Sequence, residues 1–155
     1  MQARVRPLLA PRESLIVAEG RRAVLATTRP DGRPRLVPIT YAADLERGRL
    51  YTPIDDKRKV TADPRRLARV RDILARPQVS LLIDRWSEDW RELAWLRLDG
   101  AATVLDPADR ADGAEHARAV GLLRDRYRQY ADHRLEERPI IRIAVGRGVS
   151  WAAEP

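Results

Sequence analysis

AVLATTRPDGRPRLVPITYA, residues 23–42, holds two apolar runs on either side of a turn. Ala23–Thr28 reads as a buried strand. In Arg29-Pro30-Asp31-Gly32, proline presets φ for a reversal and Asp-Gly tolerates it. Pro34 to Ala42 then alternates. Leu36, Pro38 and Thr40 fall on one face and Val37, Ile39 and Tyr41 on the other, so a second strand closes a hairpin. Asp44–Gly48 is another turn and Arg49–Ile54 a third strand. Strands that follow one another without an intervening helix argue for an antiparallel meander, not a βαβ unit. No Gly-x-Gly-x-x-Gly follows any strand, so the dinucleotide-binding fingerprint is absent.

Outward from the hairpin the chain changes period. A short helix is expected over about residues 11–20, with Leu15, Ile16 and Val17 on its apolar side and Gly20 at its end. A second is expected over about 64–75, where Leu67, Val70, Ile73 and Leu74 share a face, Pro64 suits the first turn and Pro77 stops it. Gln78–Asp84 and Leu93–Leu105 read as strands, the second with a bulge at Asp99-Gly100. A third helix is expected over about 107–127, followed by a polar loop and a last strand, Ile140–Trp151. The expected fold is mainly β with a few helices: six antiparallel strands closed into a small barrel that removes exposed edges, one domain over residues 1–155.

Composition narrows the function. Of 155 residues, 44% are hydrophobic and 34% charged, a globular mixture. No apolar run approaches the ~20 residues of a membrane span, and the N-terminus lacks a signal-peptide core. A cytoplasmic protein with no membrane partner is expected. Without cysteine there is no disulfide, thiolate metal site or cysteine nucleophile. The net charge is +7, yet only two of the 30 basic residues are lysines, Lys57 and Lys59. Such a balance suits nucleic acid, an anionic surface or a phosphorylated small molecule. The basic stretch from Lys57 to Arg76 has no aromatic residue for base stacking, so nucleic acid is not the expected partner.

No Gly-x-Ser-x-Gly occurs, and the two histidines, His116 and His133, have no metal-ligand spacing, so neither a nucleophile triad nor a metal site is expected. A borrowed cofactor is the remaining route to chemistry. Lys57, Arg58 and Lys59 lie just beyond a strand, where a phosphate would find converging charge. The Val37–Thr40 strand beside Ala26–Thr28 offers a flat apolar wall for an electron-accepting ring. Pro38, lacking an N–H, is expected to interrupt the ladder and free neighbouring groups for a ligand.

The order RLVPIT, LYTPIDDK, RRLARVRDILARPQVSLLID and EDWRELAWLRLDGAATVL resembles the pyridoxamine-phosphate-oxidase-like split β-barrel superfamily, and more narrowly its coenzyme F420-dependent branch. The resemblance runs from about Arg22 to Leu105. It implies a six-stranded split barrel, a homodimer, and two cofactors at the subunit interface. Arg35, Val37, Pro38, Ile39 and Thr40 would line the isoalloxazine-type ring, Tyr51 and Thr52 would continue that wall, and Lys57, Arg58 and Lys59 would hold the phosphate. Trp90, Trp95 and Trp151 are expected on the substrate side, Trp90 and Trp95 in a stretch the second subunit would contribute. The chain departs from the family at Arg76-Pro77 and Asp72, where relatives often carry asparagine, and it lacks a match to the oxidase's substrate-phosphate residues near the C-terminus. Coenzyme F420 is preferred over FMN because its longer anionic tail suits the further cations Arg65, Arg66, Arg69 and Arg71. Hydride transfer to a small organic substrate is the expected activity. A non-catalytic flavin, deazaflavin or tetrapyrrole carrier and a basic nucleic-acid-binding module are the alternatives.

Overall fold

A computed structural model describes residues 8–54 and 63–153. Ten main elements follow in order: α1 (Pro11–Glu19), β1 (Ala23–Thr28), β2 (Pro34–Ile39), β3 (Ala42–Asp44), β4 (Arg49–Pro53), α2 (Ala68–Ala75), β5 (Gln78–Arg85), β6 (Ala94–Leu105), α3 (Gly113–Arg126) and β7 (Ile140–Ala152). The strands form one antiparallel sheet in the order β2-β1-β5-β6-β7-β4-β3. The mainly-β antiparallel class and the three helices are therefore as expected. The meander of the first three expected strands is corrected: among the described residues β2 pairs only with β1, and β4 lies toward the opposite edge between β7 and β3. The strand count is corrected from six to seven, because the expected Pro34–Ala42 strand is broken at Tyr41. Tyr127 causes the break: its hydroxyl donates to the Tyr41 carbonyl at 2.7 Å and accepts the Tyr41 N–H at 3.2 Å, taking that residue's backbone out of the ladder.

The sheet is not closed by hydrogen bonds, which corrects the expected barrel. Its two edges, β2 and β3, are nonetheless joined by only Thr40 and Tyr41. Three Cα–Cα steps of ~3.8 Å cannot span more than about 11 Å. The sheet must curl until its edges nearly meet, and the chain crosses the remaining seam. Long strands make that curl possible. β6 pairs with β7 along its full length, with a register shift at Asp99/Gly100 where the bulge was expected. A Cβ on Gly100 would collide with the Ala144 carbonyl oxygen, so only glycine permits this approach.

Two apolar layers result. One fills the curl, with Val17, Leu25, Tyr41, Leu50, Ile73, Leu96 and Ile141 among its members. The other lies between α3 and the sheet, around Tyr51, Val120, Leu123 and Tyr127. β4 is buried on both faces, since its outer side supports α3. Tyr41 ends wholly buried with its hydroxyl donating to the Val17 and Gly20 carbonyls, and burial pushes that phenol up to about 12. The exposed carbonyls at the end of α1 also receive the Arg126 guanidinium, while Arg21 donates to the Arg126 carbonyl at 2.7 Å. Each helix end is thus capped by an arginine from the other side of the contact.

Two helix boundaries are corrected. Residues 64–66 form a separate 3₁₀ turn and Leu67 is extended, so α2 starts four residues later than expected. The stretch 107–112 is turn, because the Asp106 and Asp112 carboxylates capture the Ala108 and Asp106 N–H groups and compete with helix.

Candidate functional site

The hairpin register shows why β2 is the strand to examine. Arg29 N–H bonds the Arg33 carbonyl, and Gly32, at φ +82°, completes the turn. Antiparallel ladders alternate bonded and unbonded pairs. Counting from Arg29/Arg33 along the unbroken register, Arg35, Val37 and Ile39 bond β1, while Pro34, Leu36 and Pro38 turn their backbone to the open edge. Pro38 therefore does not interrupt the ladder, which corrects that expectation. It sits where no N–H is needed. Between the two prolines, Leu36 carries the outward-facing N–H of this strand.

Side chains divide the same way. Arg35, Val37 and Ile39 face the core with Thr27 and Leu25; Leu36 and Pro38 face outward beside Val24 and Ala26. Leu36 is 64% exposed. The outer surface continues through Leu82 on β5 and across β6 and β7, where Trp95 stands directly opposite Trp151. A shallow trough of about 360 Å³ crosses this face, over Ala26, Thr28, Pro34, Ser80, Asp99 and Gly100. Its polar rim is tied together, since Ser80 donates to Asp99 at 2.7 Å.

The seam brings β2 to β4. The β3–β4 ladder begins at Ala42↔Tyr51, so the chain reaches β4 within three residues of the end of β2. Thr40 and Thr52 are both among the expected ring-wall residues. Their side chains are less available than expected. The Thr40 hydroxyl is hydrogen-bonded to that of Tyr130 at 2.5 Å, and Thr52 is buried. Tyr51 lies wholly under α3 and donates to Glu115 at 2.9 Å; burial first, then that bond, raises its phenol. Lys57, Arg58 and Lys59 come after β4 in the sequence, beyond Ile54-Asp55-Asp56, and lie outside the described residues.

Arg35 is committed inward. Its Nε donates to the buried Asp72 carboxylate at 2.7 Å, which also accepts the Thr27 hydroxyl at 2.8 Å. Burial pushes the Asp72 carboxyl up, but these bonds outweigh it and hold it below the ordinary range. Of the helical cations, Arg65 grips Asp106 through two nitrogens. Arg66 and Arg71 are exposed and have no partner among the described residues. Trp90 stands on the 90–92 turn at 71% exposure, Trp86 is similarly exposed and Trp151 half so, while Trp95 is partly buried. None of the four is core packing.

Sequence reasoning missed Glu115, a carboxylate in the first turn of α3 with three side-chain partners. It accepts Arg49 at 2.5 Å, Arg142 at 2.9 Å and the Tyr51 hydroxyl. Burial raises this carboxyl, and the phenol and guanidinium bonds more than reverse that. A charge inside the apolar run IIRIAV, Arg142, was the available signal.

The family model described as pyridoxamine 5'-phosphate oxidase matches residues 13–152. Among curated proteins no sequence matches significantly. Solved structures with the same fold include a FAD-binding protein from Mesorhizobium loti (TM-score 0.65, 20% identity, 96% of this chain and 97% of that one). The heme storage protein HutZ from Vibrio cholerae aligns with TM-score 0.65 and 15% identity over 93% and 94% of the two chains. An F420 reductase aligns with TM-score 0.60 and 22% identity over 91% and 98%.

Proposed function

The chain belongs to the pyridoxamine 5'-phosphate oxidase family, and from that premise we propose that it is an oxidoreductase that binds coenzyme F420, with FMN as the alternative. Two chains would form a homodimer around the cofactors and act on a small organic substrate in the cytoplasm, without nucleic-acid or membrane partners. The observation that carries this reading is the bare outer side of β2, where Leu36 and Pro38 are exposed and continuous across β1 with the exposed Leu82 of β5.

The residues present fit such a group. Leu36, Pro38 and Leu82 offer flat apolar contact, the Leu36 N–H a backbone donor, and Arg66 and Arg71 cations without partners among the described residues. Lys57, Arg58 and Lys59 are assigned to the phosphate. The bound cofactor would supply hydride transfer. The chain's own part is to fix the ring along β2, hold anionic charge, and exclude water where Trp90, Trp95 and Trp151 meet the second copy. Arg35 acts at one remove, pinning β2 to α2 through Asp72.

The fold shared with a heme storage protein favours, as a second reading, a non-catalytic carrier. Heme carriage is the weaker form of it. Both histidines belong to the α3 side, His116 buried against the Arg138 carbonyl at 2.7 Å and His133 packed on Tyr130, away from the outer face.

Titrating the protein separately with coenzyme F420 and FMN, by cofactor emission and tryptophan quenching, tests the assignment. Tight F420 binding is expected, weakened about tenfold or more by Lys57→Ala with Lys59→Ala, since charge-assisted contacts contribute about 1.5–3 kcal/mol each. Tight binding of FMN alone would overturn the cofactor choice. Binding of neither would overturn the oxidoreductase reading.

A further inference from the structure

A second cavity, of about 330 Å³, opens at the far end of β5, between it and the end of α1. Its floor is apolar: Ile16 and Ile83 are both buried. Gly20 lies against Ile83 so closely that a Cβ there would clash. Trp86 forms one wall, with 69% of its surface exposed. In a chain without phenylalanine, an exposed indole beside an apolar cleft is a stacking surface.

Charge in the cleft is sorted in an uneven way. Arg85 is fixed, donating to Glu19 at 3.0 Å and to the Glu92 carbonyl at 2.8 Å. Arg21 is fixed on the Arg126 carbonyl and over the Tyr127 ring. Arg22 and Asp84 differ. The β1–β5 ladder ends at Val24↔Leu82, and beyond it Arg22 and Asp84 both line the cleft that opens between the two segments. They form no ion pair, and neither side chain has another partner among the described residues. Two opposite charges, both lining one cavity and both without a side-chain partner among the described residues, are arranged as the two ends of a receptor.

The dipole of α1 does not oppose an anion there. Its terminal carbonyls, which carry partial negative charge, already face the Arg126 guanidinium and the Tyr41 hydroxyl. We propose that this cleft binds a small planar aromatic molecule bearing both a carboxylate and an amino group. The ring lies on Trp86 above Ile16 and Ile83, the carboxylate meets Arg22, and the amino group donates to Asp84. The site is separate from β2 and the seam, and its occupancy does not depend on the cofactor reading.

Isothermal titration calorimetry of the full chain with 4-aminobenzoate, and with benzoate and aniline as its two halves, tests the assignment. One saturable site per chain with sub-millimolar affinity is expected for 4-aminobenzoate, and weaker binding for either half. Arg22→Gln should weaken 4-aminobenzoate and benzoate alike by about tenfold, the scale of one charged hydrogen bond. Asp84→Asn should weaken 4-aminobenzoate several-fold and leave benzoate unchanged. Trp86→Ala should weaken all three ligands. These side chains are exposed, so circular dichroism should show each variant folded. No saturable heat with 4-aminobenzoate would overturn the proposal, as would affinities indifferent to Arg22→Gln and Trp86→Ala. Benzoate binding as tightly as 4-aminobenzoate would overturn the role of Asp84.

Discussion

Glu115 and Asp84 are both carboxylates with arginine for a neighbour, and they meet opposite fates. Glu115, in the first turn of α3, gathers Arg49, Arg142 and Tyr51 around its two oxygens. The Asp84 side chain, which lines the cleft at the end of β5 with Arg22, bonds neither it nor any other side chain among the described residues. Solvent explains the difference. A charge away from water must find its partner or destabilise the fold by several kcal/mol, whereas an exposed ion pair gains about 0–1 kcal/mol and is easily forgone. Charges committed to the fold are therefore paired, and those left over in a cleft are available to a ligand. β2 repeats the contrast within one strand: Arg35 points inward to Asp72, and Leu36 points outward to nothing.

Breaking the committed side should give the largest effect. Glu115→Leu leaves Arg49 and Arg142 facing each other without a counter-charge and is expected to lower unfolding stability by about 3 kcal/mol. Urea denaturation measures this, and a loss below about 1 kcal/mol would mean that the cluster is not holding α3.

Asp72→Asn should cost about 1–2 kcal/mol, the loss of charge-assisted bonds to Arg35 and Thr27. It should also change the acid response. The Asp72 and Glu115 carboxyls are both held below their ordinary range in the folded chain. Their stabilisation is complete above the unfolded carboxylate pKa of about 4 and is lost as pH falls through the lowered folded values. Wild-type stability should therefore decline below about pH 4, and Asp72→Asn should decline less steeply. Identical acid limbs would contradict the assignment. At the uncommitted end, Asp84→Asn should change stability by no more than about 0.5 kcal/mol; a larger loss would place Asp84 in the fold.

The sequence showed the strands more clearly than their ends. Alternation in Leu36-Val37-Pro38-Ile39 and the Arg29–Gly32 turn placed the hairpin correctly, because both are local physics. What broke the second strand was Tyr127, 86 residues from Tyr41, and no window of sequence contains that bond. Likewise the proline at position 38 looked like a defect in a ladder until the pairing parity showed that it occupies an unbonded position. Of the candidate site, the alternation that turns Leu36 and Pro38 outward was legible. The inward commitment of Arg35 and the burial of Tyr51 were not, since both depend on which helix covers which face.

The central claim is that the bare outer side of β2 is where cofactor and second copy meet. Leu36→Asp tests it directly, because that side chain is mostly exposed and its replacement adds charge to the outer face without disturbing the core. Coenzyme F420 titration and sedimentation of this variant should show binding weakened by about tenfold or more and a shift toward monomer, comparable to charge introduced into a buried contact, while the unfolding midpoint stays close to wild type. Unaltered affinity and unaltered assembly in Leu36→Asp would contradict it.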